Sequence, residues 1–164
     1  MKITKEFLKR KSACFEGVKW FLSQKETNGI KIIKKLIAEN RLSWAGWLIV
    51  RLMNYKQCVS YAVYASEQVI EIYEKKHPND NRPRLAIEAA KKCIKSPSKN
   101  NKSAAANAAY AAANAADAAA YAAADAEANA AANAAANASN AAANAAAMKI
   151  KILTYGIKLM EGKK

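Results

Sequence analysis

The 164-residue chain is predicted to be all-α. Apolar residues recur at the three- and four-residue spacing of helices, and no stretch alternates with the two-residue period of a strand. No glycine or proline occurs between Pro97 and Gly156, a region dominated by alanine, the strongest helix former. We therefore predict a bundle of short helices over residues 1–95, a polar connector over 96–102 and an alanine-rich segment over 103–164. That segment forms one long helix or a helical hairpin, packed on the bundle or projecting from it, within one domain overall.

The first part of the bundle contains three short amphipathic helices. Thr4 is positioned to cap the first helix and Ser12 to cap the second, which ends near Lys25. After a turn at residues 26–29, apolar residues at helical spacing predict a third helix up to Asn40.

Further caps divide the second part of the bundle. Ser43 precedes a helix that ends at Met53, and Asn54 precedes a longer helix that continues to about Lys76. Two prolines and several polar residues at 77–83 predict a turn, with Pro83 in the first turn of the following helix. The residues that this helix directs inward are predicted to be Leu85, Ile87, Ala90 and Ile94.

The alanine-rich segment carries one stripe of polar and aromatic residues. Their spacing of three or four is close to the roughly 3.67-residue period of an eleven-residue repeat, so a gentle supercoil keeps them on one side. Each Asn costs about 0.5 kcal/mol of helix propensity relative to Ala, which indicates that the amides are present for hydrogen bonding. Alternatively, Asn keeps the helix soluble while its alanine faces pack on neighbouring helices. The stripe consists of Asn107, Tyr110, Asn114, Asp117, Tyr121, Asp125, Asn129, Asn133, Asn137, Asn140, Asn144 and Met148.

The length of this segment limits its arrangement. One helix from Ser103 to about Tyr155 would be roughly 80 Å long, whereas a domain of this size is about 30 Å across. Either the helix projects and associates with copies of itself, or it folds back on the bundle, which we favour. The predicted turning points are residues 125–129 and 137–140, and Gly156 is predicted to end or interrupt the final helix.

The net charge of +14 is unevenly distributed. Residues 1–102 contain 22 Lys and Arg against 9 Asp and Glu, residues 103–148 contain none against 3, and residues 149–164 contain 5 against 1. This distribution favours acidic partners or nucleic acid, although lysines on helices often form only a solvated face.

The sequence contains no recognisable catalytic, metal or cofactor site. His77 is the only histidine, the five glycines are isolated from one another, and the three cysteines form no CxxC pair. Asp117, Asp125 and Glu127 have no second carboxylate-bearing helix to complete a site. We predict that the protein is not an enzyme, binds no metal or cofactor, keeps its cysteines reduced, and is cytoplasmic without a membrane partner.

Three features are candidates for binding. In the first, the stripe from Asn107 to Asn144, tyrosine rings supply apolar area and amides supply both donors and acceptors. The second is the pair Arg82 and Arg84, which could hold a carboxylate or phosphate at a helix start or could instead pair with nearby acids such as Asp80 or Glu88. The third consists of Trp44 and Trp47 with Arg51, which we interpret as core packing.

Several segments resemble a family of immunity proteins of bacterial polymorphic toxin systems and phages. The resemblance covers about residues 5–150, and its most specific motifs are the Asp80–Ala90 segment and the alanine ladder. It also includes the runs WAGWLIVRLM from Trp44 and IYEKKHP from Ile72. It implies an all-helical protein that acts by binding and that blocks a toxin or another defence component. Relatives are expected to carry Tyr, Trp, Arg or Asp on the ladder, whereas Asn dominates here.

These observations predict a non-enzymatic binding protein that occludes its partner through the stripe. The partner is a toxin or defence protein, with a small nucleotide-like ligand as an alternative. Two further alternatives are a basic nucleic-acid-binding module and a structural rod that forms homo-oligomers through the alanine-rich helix.

Overall fold

A computed structural model describes residues 1–103 and 134–162, the second range with side chains from residue 143 onward. Every regular element in these ranges is a helix, which confirms the predicted all-α class. Residues 99–103 are also helical. The helices named below are α1 (Lys5–Arg10), α2 (Phe15–Ser23), α3 (Gly29–Ala38), α4 (Leu42–Leu52), α5 (Tyr55–Glu67), α6 (Ile70–Lys76), α7 (Arg82–Lys95) and α8 (Ala134–Met160).

The chain divides into two compact units. Unit 1 comprises Met1–Cys58 together with Lys149–Lys164, and unit 2 comprises Val59–Met148. The predicted division into residues 1–95, 96–102 and 103–164 stays a prediction, because much of the last segment lies outside the described residues. Within the predicted connector, only residues 96–98 are non-helical.

Two of the predicted helix caps are confirmed. Thr4 Oγ1 accepts a hydrogen bond from Phe7 N at 3.1 Å at the start of α1. At the start of α5, Gln57 N donates to Asn54 Oδ1 at 2.9 Å while Asn54 N donates to Gln57 Oε1 at 3.0 Å. This reciprocal pair satisfies two backbone donors that the helix itself cannot pair.

The other two predicted caps are wrong. Ser12 has φ 57°, which places it in the left-handed region just after α1, and the Sγ of Cys14 caps α2 instead by accepting from Gly17 N at 3.4 Å. Ser43 lies inside α4, which begins at Leu42 without a side-chain cap. A hydroxyl residue before an apolar run therefore marks these helix starts only to within two residues.

The single helix predicted from Asn54 to Lys76 is wrong, because the chain forms α5 and α6 with a break between Glu67 and Ile70. Ile70 is buried at this break, whereas Val69 and Ile72, which supported the continuous pattern, are exposed. Apolar periodicity missed the break because no glycine or proline marks it.

Unit 1 contains most of the described core. Helix α1 packs against α2, and α3 packs against α4. The amino terminus lies beside the start of α3, where Ile3 N donates to Thr27 O at 2.7 Å and Gly29 N donates to Met1 O at 2.9 Å. A Cβ at Gly29 would lie 2.7 Å from Leu52 Cδ1, so any other residue there would force the buried Leu52 side chain to move. The buried apolar side chains of this unit include Ile3, Leu8, Phe21, Ile32, Ile33, Leu36, Leu48, Ile49, Leu52, Leu153 and Ile157.

The carboxyl-terminal end of α8 is part of this core. Leu153 and Ile157 are buried, Gln57 Nε2 donates to Leu159 O at 2.9 Å, and Lys34 Nζ forms an ion pair with Glu161 Oε1 at 2.9 Å. Residues far apart in sequence thus form one folded unit.

Two predictions about the final helix are wrong. Gly156 is buried in the interior of α8 and neither ends nor interrupts it. The helix is also continuous across residues 137–140, so the chain does not turn there. The other predicted turning point, residues 125–129, lies outside the described residues.

Unit 2 has a smaller described core, in which Val63, Ile70 and Ile87 are buried and Ala90 and Ile94 pack against them. The turn before α7 and the position of Pro83 in its first turn are confirmed. Leu85, predicted to face inward, is 51% exposed, so that prediction is wrong. Its helical position places it away from Ile87, which supplies the buried contact.

Candidate binding surfaces

Most of the predicted stripe cannot be placed. The site residues that lie outside the described part of the chain are Asn107, Tyr110, Asn114, Asp117, Tyr121, Asp125, Asn129 and Asn133. The carboxyl end of the stripe lies on α8, which is helical as the spacing predicts; there Asn144 is exposed and Met148 is half-buried.

The two predicted site arginines already hold carboxylates. Arg82 donates from Nε and Nη2 to Asp80 at 2.8 and 2.7 Å, and Tyr73 Oη donates to the same carboxylate at 2.7 Å. Arg84 donates from Nε and Nη2 to both oxygens of Glu74, each at 2.5 Å. Both pairs have the two-pronged geometry that makes guanidinium–carboxylate contacts specific.

The Arg84–Glu74 ion pair joins α6 to α7 directly, and Asp80, in the turn between the helices, contacts both through Tyr73 and Arg82. Tyr73 and Glu74 belong to α6, whereas Arg82 and Arg84 begin α7. Arg82 holds the pKa of Asp80 well below its usual range, with a further contribution from Tyr73, and Arg84 lowers the pKa of Glu74. An incoming anion would have to share these guanidinium groups, so the arrangement is that of a clasp between two helices.

The described residues contain no group of three or more His, Cys, Asp and Glu side chains that could hold a metal ion. The ring of His77 packs on that of Tyr73, with centroids 4.7 Å apart. The described helices do not include one that is long and apolar enough to cross a membrane.

Unit 1 contains a groove that the sequence analysis missed. Its lining is mainly apolar and comes from helices α1 to α4, from Ile3 before α1 and from residues 12–14 between α1 and α2. Its volume is about 320 Å³. All three tryptophans of the chain, Trp20, Trp44 and Trp47, line it and are half-buried. Trp44 and Trp47, interpreted from the sequence as core packing, line the groove together with buried core residues such as Leu48. We call it the tryptophan groove.

Two arginines stack on the indole rings of the groove. The guanidinium carbon of Arg41 lies 4.7 Å from the centre of Trp44 and 5.9 Å from that of Trp20, and Arg51 lies 4.0 Å from that of Trp47. Such cation–π contacts are strongest with indole.

One carboxylate fixes part of this arrangement. Glu39 Oε2 accepts from Trp20 Nε1 at 2.8 Å and from Arg41 Nε at 2.9 Å. The Arg41 guanidinium, and then the Trp20 indole, hold the pKa of Glu39 below its ordinary value. The carboxylate is therefore charged at neutral pH and orients both groups at the groove.

The excess positive charge is concentrated in the same unit. Unit 1 contains 18 Lys and Arg against 5 Asp and Glu, whereas unit 2 contains 9 against 8. Nearly all of the net charge of +14 therefore belongs to the unit that carries the tryptophan groove.

Comparison with known proteins gives one match. A family model described as "Imm-5 like putative immunity protein" matches residues 49–164, which is 116 of the 164 residues. The matched range includes the whole stripe and the clasp between α6 and α7, whereas the residues that line the tryptophan groove, from Ile3 to Leu48, all precede it. The searches found no match among curated proteins and none among solved structures.

Proposed function

Because this chain belongs to the Imm-5-like family of putative immunity proteins, which implies a protein partner such as a toxin, we propose that it is a non-enzymatic protein that recognises and occludes that partner through the stripe. The observation that carries the proposal is the family match, which spans every residue of the stripe. The earlier resemblance to immunity proteins is thereby confirmed at the level of the family.

The chemistry of the stripe supports this role. Tyr110 and Tyr121 offer large apolar rings with polar tips, the residue type that most often anchors a protein interface. The amides supply donors and acceptors that pair with a partner's backbone, and the surrounding alanines allow close approach. At the described end of the stripe, Asn144 is exposed to solvent and available for contact.

Quantitative capture from an extract of the native host tests the proposal. The full chain carrying an affinity tag is compared with a Tyr110→Ala/Tyr121→Ala variant and with a Tyr110→Phe/Tyr121→Phe variant, which keeps the rings. We expect the unchanged chain to capture one protein in an equimolar amount, the Phe variant to retain most of it and the Ala variant to lose it. Capture of the same proteins by all three chains would contradict recognition through the stripe.

The captured protein then provides a functional test. If it is a toxin, its expression in a bacterial host stops growth, and co-expression of the unchanged chain restores growth whereas the Ala variant does not. Equal expression of the two chains and equal helical circular dichroism are the controls.

The concentration of charge in unit 1 favours nucleic-acid binding as a second candidate function. That candidate predicts binding of duplex DNA or RNA that weakens steeply with added salt and that survives replacement of both stripe tyrosines. A structural rod predicts instead that deletion of residues 104–133 converts an oligomer to a monomer in solution.

A further inference from the structure

We propose that the tryptophan groove is a second contact site, which accepts a large apolar side chain from an acidic segment of the protein partner. This inference rests on the proposed function for the nature of the partner. It goes beyond that function because it assigns a site in unit 1 and states the chemistry of the segment that binds there.

The shape and lining of the groove indicate an apolar anchor. A volume of about 320 Å³ is at the lower end of the range of ligand pockets. Leu8, Phe21 and Leu36 line it along with the three indoles, and it is open enough to be reached from solvent. Indole and phenyl surfaces contribute the most binding energy per side chain when a partner's aromatic or aliphatic group covers them.

The charge around the groove indicates an acidic partner. Arg41 uses its Nε to hold Glu39, and no acceptor for its two terminal amino groups lies among the described residues. A carboxylate beside the anchor could therefore accept from Arg41 without displacing Glu39. The net charge of unit 1, 18 basic against 5 acidic residues, attracts such a segment from a distance.

The position of the groove relative to the family match gives it a distinct role. All of its lining residues precede residue 49, where the match begins. The site therefore belongs to the part of this chain that the family model does not describe, and it suits selection of one particular partner rather than the binding common to the family.

The tryptophans make the proposal directly measurable, because all of the tryptophan fluorescence of the full chain comes from the three indoles of the groove. The probe is the acetylated peptide EDEFEDLEE, which carries two apolar anchors among acidic residues. Matched controls are EDEAEDAEE, which lacks the anchors, KRKFKRLKK, which reverses the charge, and phenylacetate, a small aromatic carboxylate. We expect a saturable fluorescence change with the first peptide, weakened by salt, and binding at least about tenfold weaker for each control.

Two variants locate the binding. Ala13→Phe fills the groove with a ring and is expected to weaken binding of EDEFEDLEE by about tenfold or more. Arg41→Gln removes the guanidinium and is expected to weaken binding of the same peptide by about two- to fivefold, which is the effect of losing one exposed ion pair. Lys76→Gln, an exposed position in unit 2, is the matched control for charge and should bind as the unchanged chain does. Equal circular dichroism and melting temperature show that the variants are folded.

Several outcomes would overturn the proposal: no saturable binding of EDEFEDLEE, equal binding of a control peptide or of phenylacetate, or unchanged binding by Ala13→Phe. The host-extract capture separates this result from the proposed function. If Ala13→Phe captures the partner as the unchanged chain does, the groove proposal fails while the proposed function stands. If the stripe variant Tyr110→Ala/Tyr121→Ala retains the partner while peptide binding is confirmed, the stripe fails and the groove stands.

Discussion

Replacement of Leu153 by alanine tests whether the carboxyl-terminal end of α8 is part of the fold of unit 1. Leu153 is only 2% exposed and lies about 100 residues from the nearest core residue of the amino-terminal part. Truncation of a buried leucine removes its apolar contacts and leaves a cavity, at a cost of about 2–5 kcal/mol. We therefore expect Leu153→Ala to lower the free energy of unfolding of unit 1 by about 3 kcal/mol.

Urea unfolding followed by tryptophan fluorescence is the assay, because all three tryptophans lie in unit 1. With a urea dependence of about 1–3 kcal/mol per molar, the midpoint should fall by at least about 1 M. Leu85→Ala makes the same chemical change at a position that is 51% exposed in unit 2, and it should alter stability by no more than about 0.5 kcal/mol.

A second control separates packing from charge. Lys34→Ala breaks the ion pair between Lys34 and Glu161. Because the Lys34 side chain is 56% exposed, this change should lower the free energy of unfolding by about 1 kcal/mol or less. If Leu153→Ala and Leu85→Ala have the same urea midpoint, the carboxyl-terminal segment does not contribute to the core. The description of unit 1 would then be incorrect.

Three further predictions concern other parts of the chain. Gly29→Ala should destabilise the protein by about 1–3 kcal/mol, because the added Cβ would lie 2.7 Å from Leu52 Cδ1. Gly46→Ala should instead stabilise α4 by about 0.5–1 kcal/mol, because its added Cβ would meet no atom within 4 Å. Thermal melting distinguishes these opposite effects. Asp80→Asn should lower the melting temperature at neutral pH: the folded pKa of Asp80 lies below its unfolded value of about 3.9, so its contribution is complete above that value and disappears as the pH falls through the folded pKa. A melting-temperature difference that stays the same from pH 7 to pH 2 would contradict this assignment. Glu74→Gln and Arg84→Gln should be non-additive in a double-mutant cycle, because either change breaks the same contact, and additive effects would refute the clasp between α6 and α7.

Local sequence signals predicted much of the helical structure but not its exact limits. Thr4 and Asn54 were identified as caps because each offers a side-chain oxygen at the right distance before an apolar run. At α2 the same reasoning chose Ser12, while the cap is Cys14, a residue whose sulfur is a weaker acceptor and is rarely considered for this role. Ser12 instead adopts a left-handed backbone conformation just after α1.

The tertiary relationships could not be obtained in this way. No local property of Leu153 or Ile157 indicates that they are buried in the same unit as α3 and α4, because that unit joins segments about a hundred residues apart in sequence. The tryptophan groove was missed for the same reason, because Trp20 is on α2 whereas Trp44 and Trp47 are on α4. The edge-to-face contact between Trp20 and Trp44, with ring centroids 6.3 Å apart, exists only in the folded chain. The sequence did contain one signal for the groove: all three tryptophans fall within a single stretch of 28 residues, and that stretch is rich in basic residues.

For the candidate arginines, sequence alone left open whether they bind a ligand or a neighbouring acid. Asp80 was predicted as one alternative partner and holds Arg82, but the partner of Arg84 is Glu74 rather than Glu88. Glu88 lies four residues after Arg84 on the same helix, the usual spacing for an ion pair, yet Arg84 contacts Glu74. Glu74 became available only because the turn at residues 77–83 brings α6 beside the start of α7.

The two binding sites proposed here belong to parts of the chain with different electrostatic properties, and this separation carries a consequence for specificity. Unit 2, with 9 basic and 8 acidic residues, contributes little long-range attraction, so a partner held by the stripe alone is selected by the shape and hydrogen bonding of that surface. Unit 1 attracts acidic partners before contact and then offers an apolar groove that only a suitable anchor fills. Added salt should therefore slow association with an acidic partner more than it speeds dissociation, and the Arg41→Gln variant should be less sensitive to salt than the unchanged chain. A partner whose association rate is unaffected by salt binds through the stripe without using unit 1.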